Sequence, residues 1–172
     1  MASVEKINFD GRTGLGVNIS SIVGAGGIND RDDVLVIQGL FNFIAKGLNP
    51  ASVGLVGLYK IPDVTGDMDG ETYSAIGEFQ IRNAYRLLSA KSDGRIHPAK
   101  YQNTRLSSNS KRFMSITLLH IMAMDVAVMN GNLDYLGGMS SLNAELGGVI
   151  ALATGRGRFQ LDIGNYNIGY IR

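Results

Sequence analysis

From Val34 onward the apolar residues Val34, Ile37, Leu40, Phe41 and Ile44 recur at the three- and four-residue spacing that gives a helix one buried side. Asp30, Asp32 and Asp33 put capping charge at its start, and Gly47 stops it after about Lys46. Asn49-Pro50 then breaks the chain, and residues 51–63 form a connector with a short apolar run from Val53 to Tyr59. A second helix is predicted over 72–90, with Thr72 as its cap and Ala75, Ile76 and Phe79 on its buried side. It is preceded by the polar loop Val64-Thr65-Gly66-Asp67-Met68-Asp69-Gly70-Glu71 and followed by the turn Lys91-Ser92-Asp93-Gly94, after which Pro98 is suited to open a short helix.

The flanking regions carry other patterns. Residues 1–31 contain the glycine groups Gly14-Leu15-Gly16 and Gly24-Ala25-Gly26-Gly27, which favour loops, with Val17 to Val23 as one short strand. The polar stretch 103–112 separates a middle segment, 32–106, from a last one, 107–172. Phe113 to Met129 is nearly continuous in apolar residues, and its four methionines suit an irregular interior. It is short of the roughly twenty apolar residues a bilayer-spanning helix needs, and it contains His120 and Asp125. Asn130-Gly131-Asn132 turns the chain, and the apolar segment 133–153 is expected to form a helical hairpin with 111–130, a membrane-inserting hairpin being the sharper alternative. At the end, Phe159, Leu161 and Ile163, then Tyr166, Ile168 and Tyr170, alternate with other residues on either side of Gly164-Asn165, the period of a β-hairpin. Its expected partner is the strand near Val17 to Val23, or a second protein chain.

Three separated pieces resemble one pattern. Val34, Ile37, Gln38, Phe41 and Asn42 match V-x-x-L-Q-x-x-L-N; Gly66, Thr72, Ala75, Ile76, Phe79 and Gln80 match D-G-x-F-G-x-x-T-x-x-A-I-x-x-F-Q; and Asp93-Gly94 matches a second D-G before a third helix. In this, residues 20–106 resemble the peptidoglycan-binding-like domain, a three-helix module found beside bacterial cell-wall enzymes. In the loop Thr65, Met68, Asp69 and Gly70 stand where the family carries Asp, Phe, Gly and Pro. The expected fold is mainly α, a three-helix peptidoglycan-binding-like module extended by an α-helical hairpin and a C-terminal β-hairpin.

Composition and chemistry narrow the functions. Of 172 residues, 45% are hydrophobic and 18% charged, the balance of a globular chain. A formal net charge of +1 argues against nucleic acid, whose binding needs a concentrated basic face. With no cysteine there is no disulfide, thiol nucleophile or thiolate metal site. The segment Gly24-Ala25-Gly26-Gly27-Ile28-Asn29-Asp30 lacks the Lys-Ser or Lys-Thr of a phosphate loop, and Asn29 occupies the third glycine of a dinucleotide fingerprint. Asp63, Asp67, Asp69 and Glu71 suggest calcium, but the register that uses Asp69-Gly70 as the central turn puts Thr65 first and Ile76 last, where a bidentate Glu belongs. Clustered on one loop, these carboxylates do not face each other as a glycosidase pair does. His97 and His120 read as hydrogen-bonding or buried residues, and no G-x-S-x-G or H-E-x-x-H motif occurs. No cofactor is indicated, and catalysis has no support.

The resemblance therefore implies a noncatalytic module that holds peptidoglycan or its fragments in a shallow groove near the Gly66 to Thr72 loop and the Asp93 to Pro98 turn. Asp67, Asp69, Glu71, Arg95 and Tyr101 are the candidate ligand-binding residues. The first residues lack the apolar core of a secretory signal, so the chain is expected to be cytoplasmic as made and to reach a wall by a phage lysis or contractile secretion route. Two other functions fit the same pattern. One is a structural or assembly protein that uses the scaffold, or the C-terminal β-hairpin, for contacts with other chains. The other is a small wall-degrading or membrane-active toxin.

Overall fold

The computed structural model describes residues 2–9, 12–49, 60–87, 92–99 and 113–156. The fold is mainly α, as expected, with strands β1 (Ser3–Phe9), β2 (Arg12–Asn18), β3 (Val23–Gly24) and β4 (Arg95–Ile96). The helices are α1 (Arg31–Gly47), α2 (Gly70–Arg82), α3 (Ser115–Met129), α4 (Tyr135–Ser140) and α5 (Ala144–Arg156). Antiparallel β1 and β2 pair from Ser3 with Asn18 to Phe9 with Arg12, and β3 pairs with β4 through Val23 with Ile96 and Gly24 with Arg95.

Helix α1 is the centre of the molecule. Asp30 caps it by accepting from the Asp32 N–H, and Lys46 stands in its last turn. The spacing of its apolar residues predicts one buried side, yet every residue from Asp33 to Asn42 is buried. Helices α3, α4 and α5 all pack on it, and Leu35 and Val36 fill the sides the stripe leaves out. Asp33 is therefore a core residue, not a cap: its carboxylate accepts from the Ser20 N–H (2.9 Å) and Oγ (2.9 Å) and from the Ser21 N–H (2.8 Å) and Oγ (2.7 Å). Close approach also explains why α1 ends in glycine. A Cβ on Gly47 would lie 2.1 Å from Val126 Cγ1 of α3. Gly47→Ala is accordingly expected to destabilise the fold by about 2 kcal/mol in urea unfolding, although helix propensity by itself favours alanine by about 1 kcal/mol. A more stable variant would show that α1 and α3 are not in this contact.

Several expectations need correction. Strands β1 and β2 pair antiparallel where glycines led to an expected loop, and regular strand stops at Asn18 instead of running from Val17 to Val23. Gly16 lies in β2 because that strand closes on α3: a Cβ there would sit 2.4 Å from Ile7 Cδ1 and 3.0 Å from the His120 ring. The second helix starts at Gly70 and ends at Arg82, well short of residue 90, because the Asn83 side chain turns back to donate to the Phe79 carbonyl at 2.9 Å. Asp69, not Thr72, is its cap. Pro98 and Ala99 are not helical. The apolar segment after Asn132 is two helices, split at Ser141 to Asn143, where Asn143 Oδ1 accepts from the N–H groups of Glu145 (2.7 Å) and Leu146 (3.2 Å) and starts α5. Both pieces pack on α1, so the expected two-armed hairpin is a cluster around a shared centre. No helix among the described residues is long and apolar enough to cross a membrane. The connector run from Val53 to Tyr59, the third helix of the expected module and the C-terminal β-hairpin lie outside the described residues.

Candidate functional site

Two glutamines, one on each of the first two long helices, each hold a glycine-containing bend. Gln38 is fully buried on α1, and its Oε1 accepts the backbone N–H groups of Thr65 (3.0 Å) and Gly66 (2.8 Å). Its Nε2 donates to the Asp67 carbonyl (2.9 Å) and to Thr72 Oγ1 (3.0 Å). One amide thus satisfies the interior of the loop and ties it to the first turn of α2. Gln80, buried on α2, repeats the arrangement: Oε1 accepts the Gly94 N–H (2.9 Å), and Nε2 donates to the Arg95 carbonyl (2.7 Å), Asp93 Oδ1 (3.1 Å) and Ser115 Oγ (3.3 Å). Gly66 and Gly94 have φ of +78° and +66°, a left-handed backbone that glycine adopts without the Cβ penalty.

The stretch from Gly24 to Arg31 touches both bends. The Ala25 N–H donates to the Gly94 carbonyl at 2.9 Å, and Arg95 Nε donates to the Ala25 carbonyl. Asn29 closes the stretch on itself, accepting from the Gly24 N–H at 2.7 Å. At its far end the Arg31 guanidinium pairs with Asp67 Oδ1 (2.7 Å) and, through two nitrogens, with Glu145 of α5 (2.7 and 2.9 Å).

Against this frame the five candidate residues separate. Asp67 is exposed and paired with Arg31. Asp69 is a capping residue: bonds from the Thr72 side chain, and then from the Thr72 N–H at 2.7 Å, hold its carboxyl below the usual range. Glu71 is exposed in the first turn of α2, where its backbone N–H donates to the Asp69 carboxylate. Arg95 is exposed on the other bend, and Tyr101 lies outside the described residues. Asp67, Asp69 and Glu71 thus share one loop, and Arg95 stands on the second bend. Arg31 and Glu145, which lock the loop, carry no local signal because they meet only across the fold. Burial opposes ionisation of Asp93, but bonds from the Arg95 N–H, the Gln80 amide and His97 outweigh it and keep the carboxyl low. Arg31 lowers the Glu145 carboxyl, chiefly by direct hydrogen bonding.

His97 Nε2 stands 3.4 Å from Asp93 Oδ2 on the surface, a loose pair. Among the described residues no group of three histidines or carboxylates could hold a metal ion. His120, the other histidine, is buried away from both bends, with Nε2 2.9 Å from the Val17 carbonyl and Nδ1 3.0 Å from the Tyr135 hydroxyl. Comparison with family models, with curated proteins and with solved structures finds no match to this chain.

Proposed function

We propose that this chain is a noncatalytic bacterial cell-wall binding module of the peptidoglycan-binding-like type, delivered by a phage lysis or contractile secretion apparatus. The observation that carries the reading is the repeated use of glutamine. The sequence pattern behind the resemblance pairs a helix carrying a glutamine with a downstream glycine bend, twice. Here Gln38 holds Gly66 and Gln80 holds Gly94. Those contacts give the matched residues a common physical purpose, the rigid presentation of two bends, and rigid bends of polar residues suit a glycan with peptide stems. Ligand would lie along Asp67, Asp69, Glu71 and Arg95; Tyr101, the fifth candidate, lies outside the described residues.

A second reading has its own support. Ile81 and Tyr85, four residues apart, are 66% and 74% exposed, an apolar pair that an assembly contact would cover. Co-sedimentation with purified sacculi separates the two. Retention of the wild-type chain, lost in a Glu71→Ala, Arg95→Gln double variant of unchanged circular dichroism, is the expected result. No retention, with concentration-dependent self-association in its place, would transfer the conclusion to assembly.

A further inference from the structure

The two arginines beside the bends are in opposite electrostatic situations. Arg31 is neutralised by two carboxylates, Asp67 and Glu145. Arg95 has no ion pair among the described residues, and it is exposed. The Asp93 carboxylate of the same bend is already engaged: Oδ1 accepts the Arg95 N–H (3.0 Å) and the Gln80 amide (3.1 Å), and Oδ2 faces His97.

The guanidinium is nevertheless held at one nitrogen. Its Nε donates to the Ala25 carbonyl, and the residue's own carbonyl is gripped by Gln80. Gly26 keeps the outer end clear, since a Cβ there would lie 3.1 Å from Nη2, and its φ of +66° suits glycine. The Gly24-Ala25-Gly26-Gly27 run, which the sequence leaves as a simple turn, is thus the bed on which the Arg95 side chain lies.

We propose that Arg95 is the anion-binding group of the module and receives a free carboxylate of the wall's peptide stem on its Nη nitrogens. This rests on the wall-binding reading and names the ligand group within it. A planar guanidinium matches a carboxylate in two parallel N–H···O bonds, and one already held at Nε loses less freedom on binding than a free side chain. A neutral sugar would leave that charge without a counterpart. A wall-polymer phosphate has the same anionic chemistry, so the probe must lack phosphate.

The test is calorimetric titration of the full chain with a soluble, phosphate-free disaccharide-peptide fragment of peptidoglycan, beside the same fragment with its stem carboxyls amidated. Wild type is expected to bind the free acid, with a loss of about tenfold or more for the amidated fragment and a similar loss for Arg95→Gln with the free acid. The two losses should not add, because they remove the same contact. Arg95→Lys, which keeps charge but loses the fork, should fall between. Equal affinity for the acid and amide fragments would overturn the carboxylate assignment while leaving wall binding intact. Binding of a phosphodiester polymer but not of the fragment would also overturn it. Binding to neither, with no retention on sacculi, would remove the wall-binding reading itself.

Discussion

Replacing Gln38 with leucine is expected to remove about 4 kcal/mol of stability, because the Thr65 and Gly66 N–H groups lose their acceptor where water does not reach well, and each such loss costs about 1–3 kcal/mol. Leucine has nearly the volume of glutamine, so the loss is polar and not a cavity effect. The Asp67 carbonyl and Thr72 hydroxyl lose a donor in the same step, which frees the loop from the first turn of α2. Urea unfolding reads the energy, and amide exchange should show Gly66 opening while Gly94 stays protected. Gln80→Leu should give the mirror result at smaller size, since the bonds of Gln80 are only partly shielded from solvent. A Gln38→Leu change below about 1 kcal/mol would mean that the loop is held by something other than this amide.

The second large effect is acid sensitivity through His120. Burial pushes this imidazole from its ordinary 6.5 down to about 4, with the Val17 carbonyl pulling weakly the other way. The folded state therefore binds the proton less readily than the unfolded chain. The stabilisation is complete above pH 6.5 and is lost as pH falls from 6.5 to about 4, reaching about 3 kcal/mol. The hydrogen bonds oppose this in part. With Nε2–H donating to Val17, the single Tyr135 proton is shared between His120 Nδ1 and the Leu15 carbonyl, whereas an imidazolium would let every member of that chain pair. Desolvation of a charge in the apolar contact between β2, α3 and α4 outweighs that gain. Urea midpoints measured from pH 7.5 to 4 should fall more steeply for wild type than for His120→Gln, which cannot take up the proton. Parallel profiles would show that the imidazolium is accommodated inside the fold.

How far the sequence reveals this molecule depends on whether the signal is local. The stripe Val34, Ile37, Leu40, Phe41 and Ile44 identifies α1 to within a residue at its end, and Ala75, Ile76 and Phe79 identify α2. Gly66 and Gly94 mark bends because a left-handed backbone selects glycine. The pairing of β1 with β2 is hidden for the converse reason: Gly16 is there for closeness to His120 and Ile7, a tertiary cause that looks like loop composition. The early end of α2 depends on one side-chain bond from Asn83, and the break before α5 on the capping oxygen of Asn143. In the candidate site, Gln38 and Gln80 are visible as motif residues, but their grip on the bends is not. Asp67 and Asp69 look like free ligands in a list of acids and turn out to hold Arg31 and cap α2. Arg31 and Glu145 are far apart in the chain and meet only in the fold.

Backbone amide mapping by nuclear magnetic resonance, on addition of a soluble stem-bearing glycan fragment, tests wall binding at the two bends most directly. Shift changes centred on Gly66 to Glu71 and on Asp93 to Arg95, with the buried amides of α1 unmoved, are expected if a wall fragment seats on the bends. A folded chain whose bend resonances do not move at saturating fragment, or whose changes fall only around Ile81 and Tyr85, would contradict binding at the bends.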